Sequence, residues 1–173
     1  MMNSDISTTI NSIEFAQKAL EIHDTIRVSQ LSRLQDLLES TDDVLTCQVI
    51  GRVAQENHSE LNLKVHGLLS LTCQRCLEPF EFVLNIDTIY SLVPNEEAIP
   101  PAEDEDDEKE YLVADANMRV LDLIEDEILL ALPLAPKHPI EKCSASDEFN
   151  ELKKPSPFAV LANFKAASTS GNG

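Results

Sequence analysis

The sequence predicts an α+β fold: an antiparallel β-meander or sheet, covered on one face by helices, with a long acidic loop. Two patterns carry this. Apolar and polar residues alternate through 45–53, 61–71 and 80–92, the period of a half-buried strand. Apolar residues recur at helical spacing near the start of the chain and across 118–131.

The turning point is Thr72-Cys73-Gln74-Arg75-Cys76-Leu77-Glu78-Pro79. Before it, Leu61, Leu63, Val65, Gly67, Leu69 and Leu71 share one face. After it, Phe80, Phe82, Leu84, Ile86, Tyr90 and Leu92 do the same. Pro79 lacks an amide donor and suits the link rather than a central ladder. Residues 61–92 thus read as a long antiparallel hairpin with the CxxC at its tip.

The other elements follow in order. Asn11 with Glu14 resembles a capping box, and Ile13, Ala16 and Leu20 follow at helical spacing, which predicts a helix over 12–21. Ser29 is placed to cap a second helix, with Leu31, Leu34, Leu37 and Leu38 as its stripe. Leu45, Cys47, Val49, Gly51 and Val53 form the apolar face of the first strand of a three-stranded meander. Pro94 to Glu110 holds three prolines and nine acidic residues; it buries too little apolar surface to offset its ordering entropy, so it reads as a mobile loop. Tyr111, Leu112 and Val113 are candidates to return to the sheet. Asp115 or Asn117 is placed to cap a helix over 118–131. Leu121, Ile124, Ile128, Leu129 and Leu132 would be its apolar side, Asp122, Glu125, Asp126 and Glu127 mostly its polar side, and Pro133 its stop. Beyond it lies a proline-rich segment, then Ser156-Pro157 opening a last short helix with Phe158, Leu161 and Phe164. One domain over 1–166, with a disordered tail at 167–173, fits 173 residues.

Lys and Arg number 13 against 31 Asp and Glu, a net charge of −18. That argues against broad binding to nucleic acid, which needs cations to replace phosphate counterions. It suits a basic protein partner, or solubility alone. The start of the chain shows no basic-then-apolar leader, and no apolar run approaches a membrane span. A cytoplasmic protein is the expectation, with its four cysteines as thiols or metal ligands.

Three separated pieces carry a resemblance. They are Leu71 to Phe80, Glu125 to His138, and Pro157 to Lys165, in that order, with Phe15-Ala16-Gln17-Lys18 near the start. Together they resemble the YceD family, also called DUF177, the large ribosomal RNA subunit accumulation proteins. The resemblance implies a non-enzymatic role in synthesis, processing or stability of 23S ribosomal RNA. Its partner would be the pre-ribosomal large subunit, the 23S RNA itself or a basic ribosomal protein. It implies no catalytic residues.

Cys73 and Cys76 have the spacing of half a zinc site, and His138 with Cys143 could supply the other half. The plainer reading is a pair of ordinary thiols at a hairpin end. A redox CxxC fits less well, because strands flank it rather than a helix N-terminus that would lower the thiol pKa. Cys47 reads as core. Arg75 reads as an exposed cation at the tip, free to meet an RNA phosphate or to pair with Glu78. Lys137, Lys153 and Lys154, together with Lys64, Lys142 and Lys165, are the other candidate contacts for RNA or a partner. Phe80 and Phe82 could stack on bases, but their placement with Leu84 and Ile86 favours core. Glu125, Asp126 and Glu127 point about 100° apart on a helix and cannot converge on one substrate. His23, His58 and His66 show no evident partners in sequence. Two alternatives remain open: a small zinc- or thiol-dependent enzyme acting on RNA or ribosomal proteins, and an acidic holder of a basic ribosomal protein.

Overall fold

A computed structural model describes residue 6 and residues 9–54, 58–100 and 110–143. Contacts within the chain divide it into two units, 1–137 and 138–173. The first unit holds the α+β fold. Its main sheet has five strands in the order β2-β3-β4-β5-β6: β2 (Glu21–Arg27), β3 (Val44–Val53), β4 (Ser59–Thr72), β5 (Pro79–Val93) and β6 (Glu110–Val113). Neighbours from β2 to β5 run antiparallel, and β6 joins β5 in parallel. A second, two-stranded sheet pairs β1 (Thr9–Ile10) with β7 (Met118–Arg119). Among the described residues two α-helices join them, α1 (Ser12–Gln17) and α2 (Val120–Ala131).

The alternation read from the sequence sets the register. Leu61 lies opposite Tyr90, Val65 opposite Ile86, Leu69 opposite Phe82 and Leu71 opposite Phe80. Leu45, Cys47 and Val49 extend the same face into β3, and Ile22 and Ile26 extend it into β2. All but the two phenylalanines are buried there; Phe82 is partly buried and packs against this core. α1 lies so close to β3 that a Cβ on Gly51 would stand 2.5 Å from the Phe15 carbonyl oxygen. Only glycine fits that approach.

Three expectations change. The chain forms a four-stranded antiparallel run rather than a three-stranded meander, because Glu21–Arg27 is a strand. α1 stops at Gln17, and Ala19 takes a φ of 48°, which turns the chain into β2. Residues 29–38 are not an α-helix but two 3-10 turns, Val28–Gln30 and Gln35–Leu37. Leu31 and Leu34, three apart, are buried by this path, while Leu37 is exposed. The backbone shows why the helix fails. The Arg33 amide, which would donate to the Ser29 carbonyl in an α-helix, donates instead to Glu125 Oε1 at 2.6 Å.

Local chemistry agrees in part elsewhere, the cap expected for α2 being the exception. Asn11 caps α1 by accepting from the Glu14 amide at 3.0 Å. Tyr111, Leu112 and Val113 do return to the sheet, in β6. α2 starts at Val120 without a side-chain cap: Asp115 instead accepts from the Asn117 amide, and Met118 and Arg119 are committed to β7. Pro94–Pro100 includes a 3-10 turn at Glu96–Ala98, with the Asn95 side chain accepting from the Ala98 amide. The rest of the expected acidic loop, the helix after Ser156 and the tail at 167–173 lie outside the described residues.

Gly51→Ala should lower unfolding free energy by about 1–3 kcal/mol through this backbone clash, read from a denaturant midpoint at unchanged slope. An unchanged midpoint would mean that α1 does not sit against β3 as described.

Candidate functional site

Between β4 and β5 the chain winds through a tight turn. The Leu77 amide donates to the Cys73 carbonyl at 2.9 Å, and the Cys73 amide donates to the Glu78 carbonyl at 2.9 Å. To close it, Leu77 adopts a φ of 61°. A side-chain-bearing residue in that region costs roughly 1–2 kcal/mol, and such strain gathers where geometry serves a site. The turn brings the Cys73 and Cys76 sulfurs within 4.8 Å of each other. Cys73 is buried and Cys76 half-buried. The Gln74 amide donates to the Pro136 carbonyl at 2.9 Å, so the proline-rich segment after α2 runs beside the cysteine turn.

Arg75 is not the exposed cation expected at an open hairpin tip. It is half-buried, and its Nη1 is closed to solvent without a hydrogen-bond partner among the described residues. The tip is a wound turn adjoined by the Pro136 segment rather than a loop projecting into solvent. Lys137, next in the chain to Pro136, is exposed. Lys153 and Lys154 lie outside the described residues, as does Lys165. Lys64 is already engaged with Asp87 at 2.8 Å. That hydrogen bond, followed by one from Asn62, holds the Asp87 carboxyl below its ordinary range.

In the second unit, His138 and Cys143 are both buried. Between them a 3-10 turn covers Ile140–Lys142, where the Lys142 amide donates to the Pro139 carbonyl at 3.0 Å. The turn leaves the His138 ring nitrogen and the Cys143 sulfur within 4.8 Å of each other. Each unit therefore presents one close pair of metal-ligating side chains. Cys47 is different: it lies in the core of the sheet, where burial first and Asp24 second push its thiol up to about 12. It stays a neutral thiol at physiological pH.

The acids of α2 have structural partners, contrary to their expected place on a solvent face. Glu125 and Glu127 are buried. Glu125 takes Arg33 Nε on Oε2 at 2.9 Å as well as the Arg33 amide, and Arg33 Nη1 reaches Asp126 at 2.7 Å. Glu127 accepts from the Thr88 hydroxyl at 2.8 Å. Burial, then the hydrogen bond and charge of Glu127, push the Tyr90 phenol above its ordinary value. No signal in the local sequence marks Arg33 as the partner of an acid 92 residues away. His23 and His66 also gain partners, in Glu21 with Gln48 and in Asn85 respectively.

The family profile described as "Large ribosomal RNA subunit accumulation protein YceD" matches residues 61–165. A protein of that name from Haemophilus influenzae is 31% identical over 176 residues, covering 95% of this chain and 99% of the relative. No solved structure matches the chain.

Two outcomes test this geometry. Leu77→Gly should leave stability unchanged or raise it by up to about 1 kcal/mol, relief of the left-handed strain exceeding glycine's added entropy in the unfolded chain, whereas Leu77→Val should lower it. Urea midpoints decide, and a Gly variant less stable than the parent would refute the strain. In the native protein at neutral pH, Cys47 should resist alkylation until denaturant is added.

Proposed function

The chain belongs to the YceD family of large ribosomal RNA subunit accumulation proteins, and from that membership we propose that it is a non-enzymatic factor supporting accumulation of 23S ribosomal RNA. The observation that carries this is the likeness to the Haemophilus relative over 95% of the chain. A binding rather than catalytic role draws support from the carboxylates. Glu125, Glu127 and Asp87, the acids a catalytic reading would enlist, are held by Arg33, Thr88 and Lys64 as parts of the fold. Among the described residues no helix is long and apolar enough to cross a membrane.

The partner is the pre-ribosomal large subunit, met through its RNA or through a basic ribosomal protein. The net charge of −18 favours the protein route, with an on-rate that falls as salt screens it. Two variants separate the routes. In one, residues 103–108 become Ser and Gly; in the other, Lys137, Lys153 and Lys154 become Gln. If a basic protein is held, the first variant should lose that partner in pull-downs and lower 23S levels in cells. If RNA is touched directly, the second should fail, and the first should bind RNA at least as well as the parent. Normal 23S levels with both would overturn recognition by charge.

A second reading concerns metal. Cys73 and Cys76, with His138 and Cys143, are the donor set that the sequence offers for an ion. Three thiols and an imidazole suit zinc, whose ligand atoms in a closed tetrahedral site stand about 3.7 Å apart; each close pair falls within 4.8 Å. The metal would be structural. Protein purified without chelator should then carry about one equivalent of zinc, and Cys73→Ser or Cys143→Ser should abolish it. A metal-free parent by elemental analysis would end this reading.

A further inference from the structure

We infer that the open edge of β6 takes up an extended, lysine- or arginine-bearing segment of a partner protein as an added strand. This rests on the protein route proposed above and names the surface that would serve it. β6 ends the strand order of the main sheet, and among the described residues it pairs with β5 alone. Successive backbone amides of a strand point to opposite edges. The Ala114 amide donates to the Val93 carbonyl at 2.8 Å, so the amides and carbonyls of Tyr111 and Val113 point away from β5. Such a row is a template for another extended chain, joined by main-chain hydrogen bonds. Edges are commonly blunted by lysine or proline, and Glu110–Val113 holds neither.

A groove of about 310 Å³ adjoins this edge, lined by β6, the residues after it and the first turns of α2. Leu112, Met118 and Leu123 give it apolar surface, and Asp115, Asp122 and Asp126 give it three carboxylates against the cation Arg119. Asp115 and Asp126 are exposed and Asp122 is half-buried. Each carboxylate is only half used among the described residues. One oxygen of Asp115 accepts from the Asn117 amide, one of Asp122 meets Arg119 at 3.1 Å, and one of Asp126 meets Arg33 at 2.7 Å. Solvent-exposed ion pairs hold weakly, and the second oxygen of each acid remains to take a donor. The charge selects the occupant. RNA would bring phosphates against three carboxylates, whereas a basic segment brings the donors they lack. In strand addition the backbone supplies affinity, and surfaces for alternate side chains supply specificity.

The test uses the full chain with a labelled decapeptide of alternating lysine and valine. At about ten times its Kd the peptide should slow amide exchange at Tyr111 and Val113 about tenfold, read residue by residue by NMR. N-methylation throughout the peptide backbone removes the ladder donors and should abolish that protection; a glutamate–valine peptide should not bind. D115N combined with D122N keeps each side chain's accepting oxygen but removes two charges. It should weaken binding about 2–30-fold, and less at high salt. The methylated peptide is tested on the parent, so it needs no variant to fold. A lysine–valine peptide that binds without protecting Tyr111 and Val113 would overturn the inference and leave the protein route standing. So would binding that survives in D115N with D122N but is lost when residues 103–108 become Ser and Gly. Protection of the same amides by single-stranded RNA would make the edge an RNA contact, and protection that rises with protein concentration alone would make it a seam between copies; either result overturns the inference. A parent that binds no basic peptide and captures no basic ribosomal protein would defeat the protein route and this inference together.

Discussion

The pairing of β4 with β5 is the constraint on which the rest depends. The ladder runs from Glu60 opposite Ser91 to Thr72 opposite Pro79 without a register break. A slip of one residue would turn Leu61, Leu63, Val65 and Leu69 out to solvent and bring Asn62, Lys64 and His66 into the core. The register therefore fixes the core face, and with it the face on which α1 and α2 lie. It also fixes where the ladder ends. Pro79 sits at the first position of β5, where a missing amide donor does least harm, and beyond that pair the chain must turn in the six residues from Cys73 to Glu78. The strain at Leu77 follows from closing that turn.

This hairpin was legible because its information is local and periodic. Leu61, Leu63, Val65, Leu69 and Leu71 on one arm, and Phe82, Leu84 and Ile86 on the other, leave little choice of face. β2 was not legible for a related reason. Between Ile22 and Ile26, its buried positions, stands Asp24, which breaks the apolar run. Its carboxylate accepts from the Ile6 amide and, on Oδ1, from the Thr25 amide, so a residue that looks like a turn former is used within a strand. The stretch 28–38 misled in the opposite sense. Its leucines fit a helical stripe, but its amides are claimed from outside: Val28 by the Asp43 carbonyl, Ser29 by the Thr41 carbonyl and Arg33 by Glu125. Propensity is a weak prior when the backbone has better partners at a distance.

The same distance hid the purpose of the acids in α2. Helical geometry correctly said that three consecutive carboxylates cannot converge on one substrate. It could not say that two of them are buried. Glu125 accepts two bonds from Arg33, and Glu127 is met by Thr88 and Tyr90 of β5. A buried carboxylate with its hydrogen bonds supplied from two other elements acts as a specific tie, holding α2 to the 28–38 segment on one side and to β5 on the other. Removing one partner leaves the charge stranded, which makes such ties costly to break and selective for a single arrangement.

Charge and chemistry at the cysteine turn then bear on each other. With so few cations in the chain, a lysine or arginine facing solvent would be a scarce resource for RNA recognition. Yet Lys64 is neutralised by Asp87, Arg33 is drawn to α2, and Arg75 is folded into the turn. The cations of the first unit are largely committed to the fold's own acids, which leaves Lys137, beside the turn through Pro136, as an exposed one. A surface built this way repels polyanions over most of its extent and attracts basic chains. If the protein meets ribosomal RNA at all, the encounter has to be local or arranged by a basic protein already bound to that RNA. The cysteine turn, with its left-handed Leu77, stands at the end of the β4–β5 ladder and beside the Pro136 carbonyl that leads into Lys137.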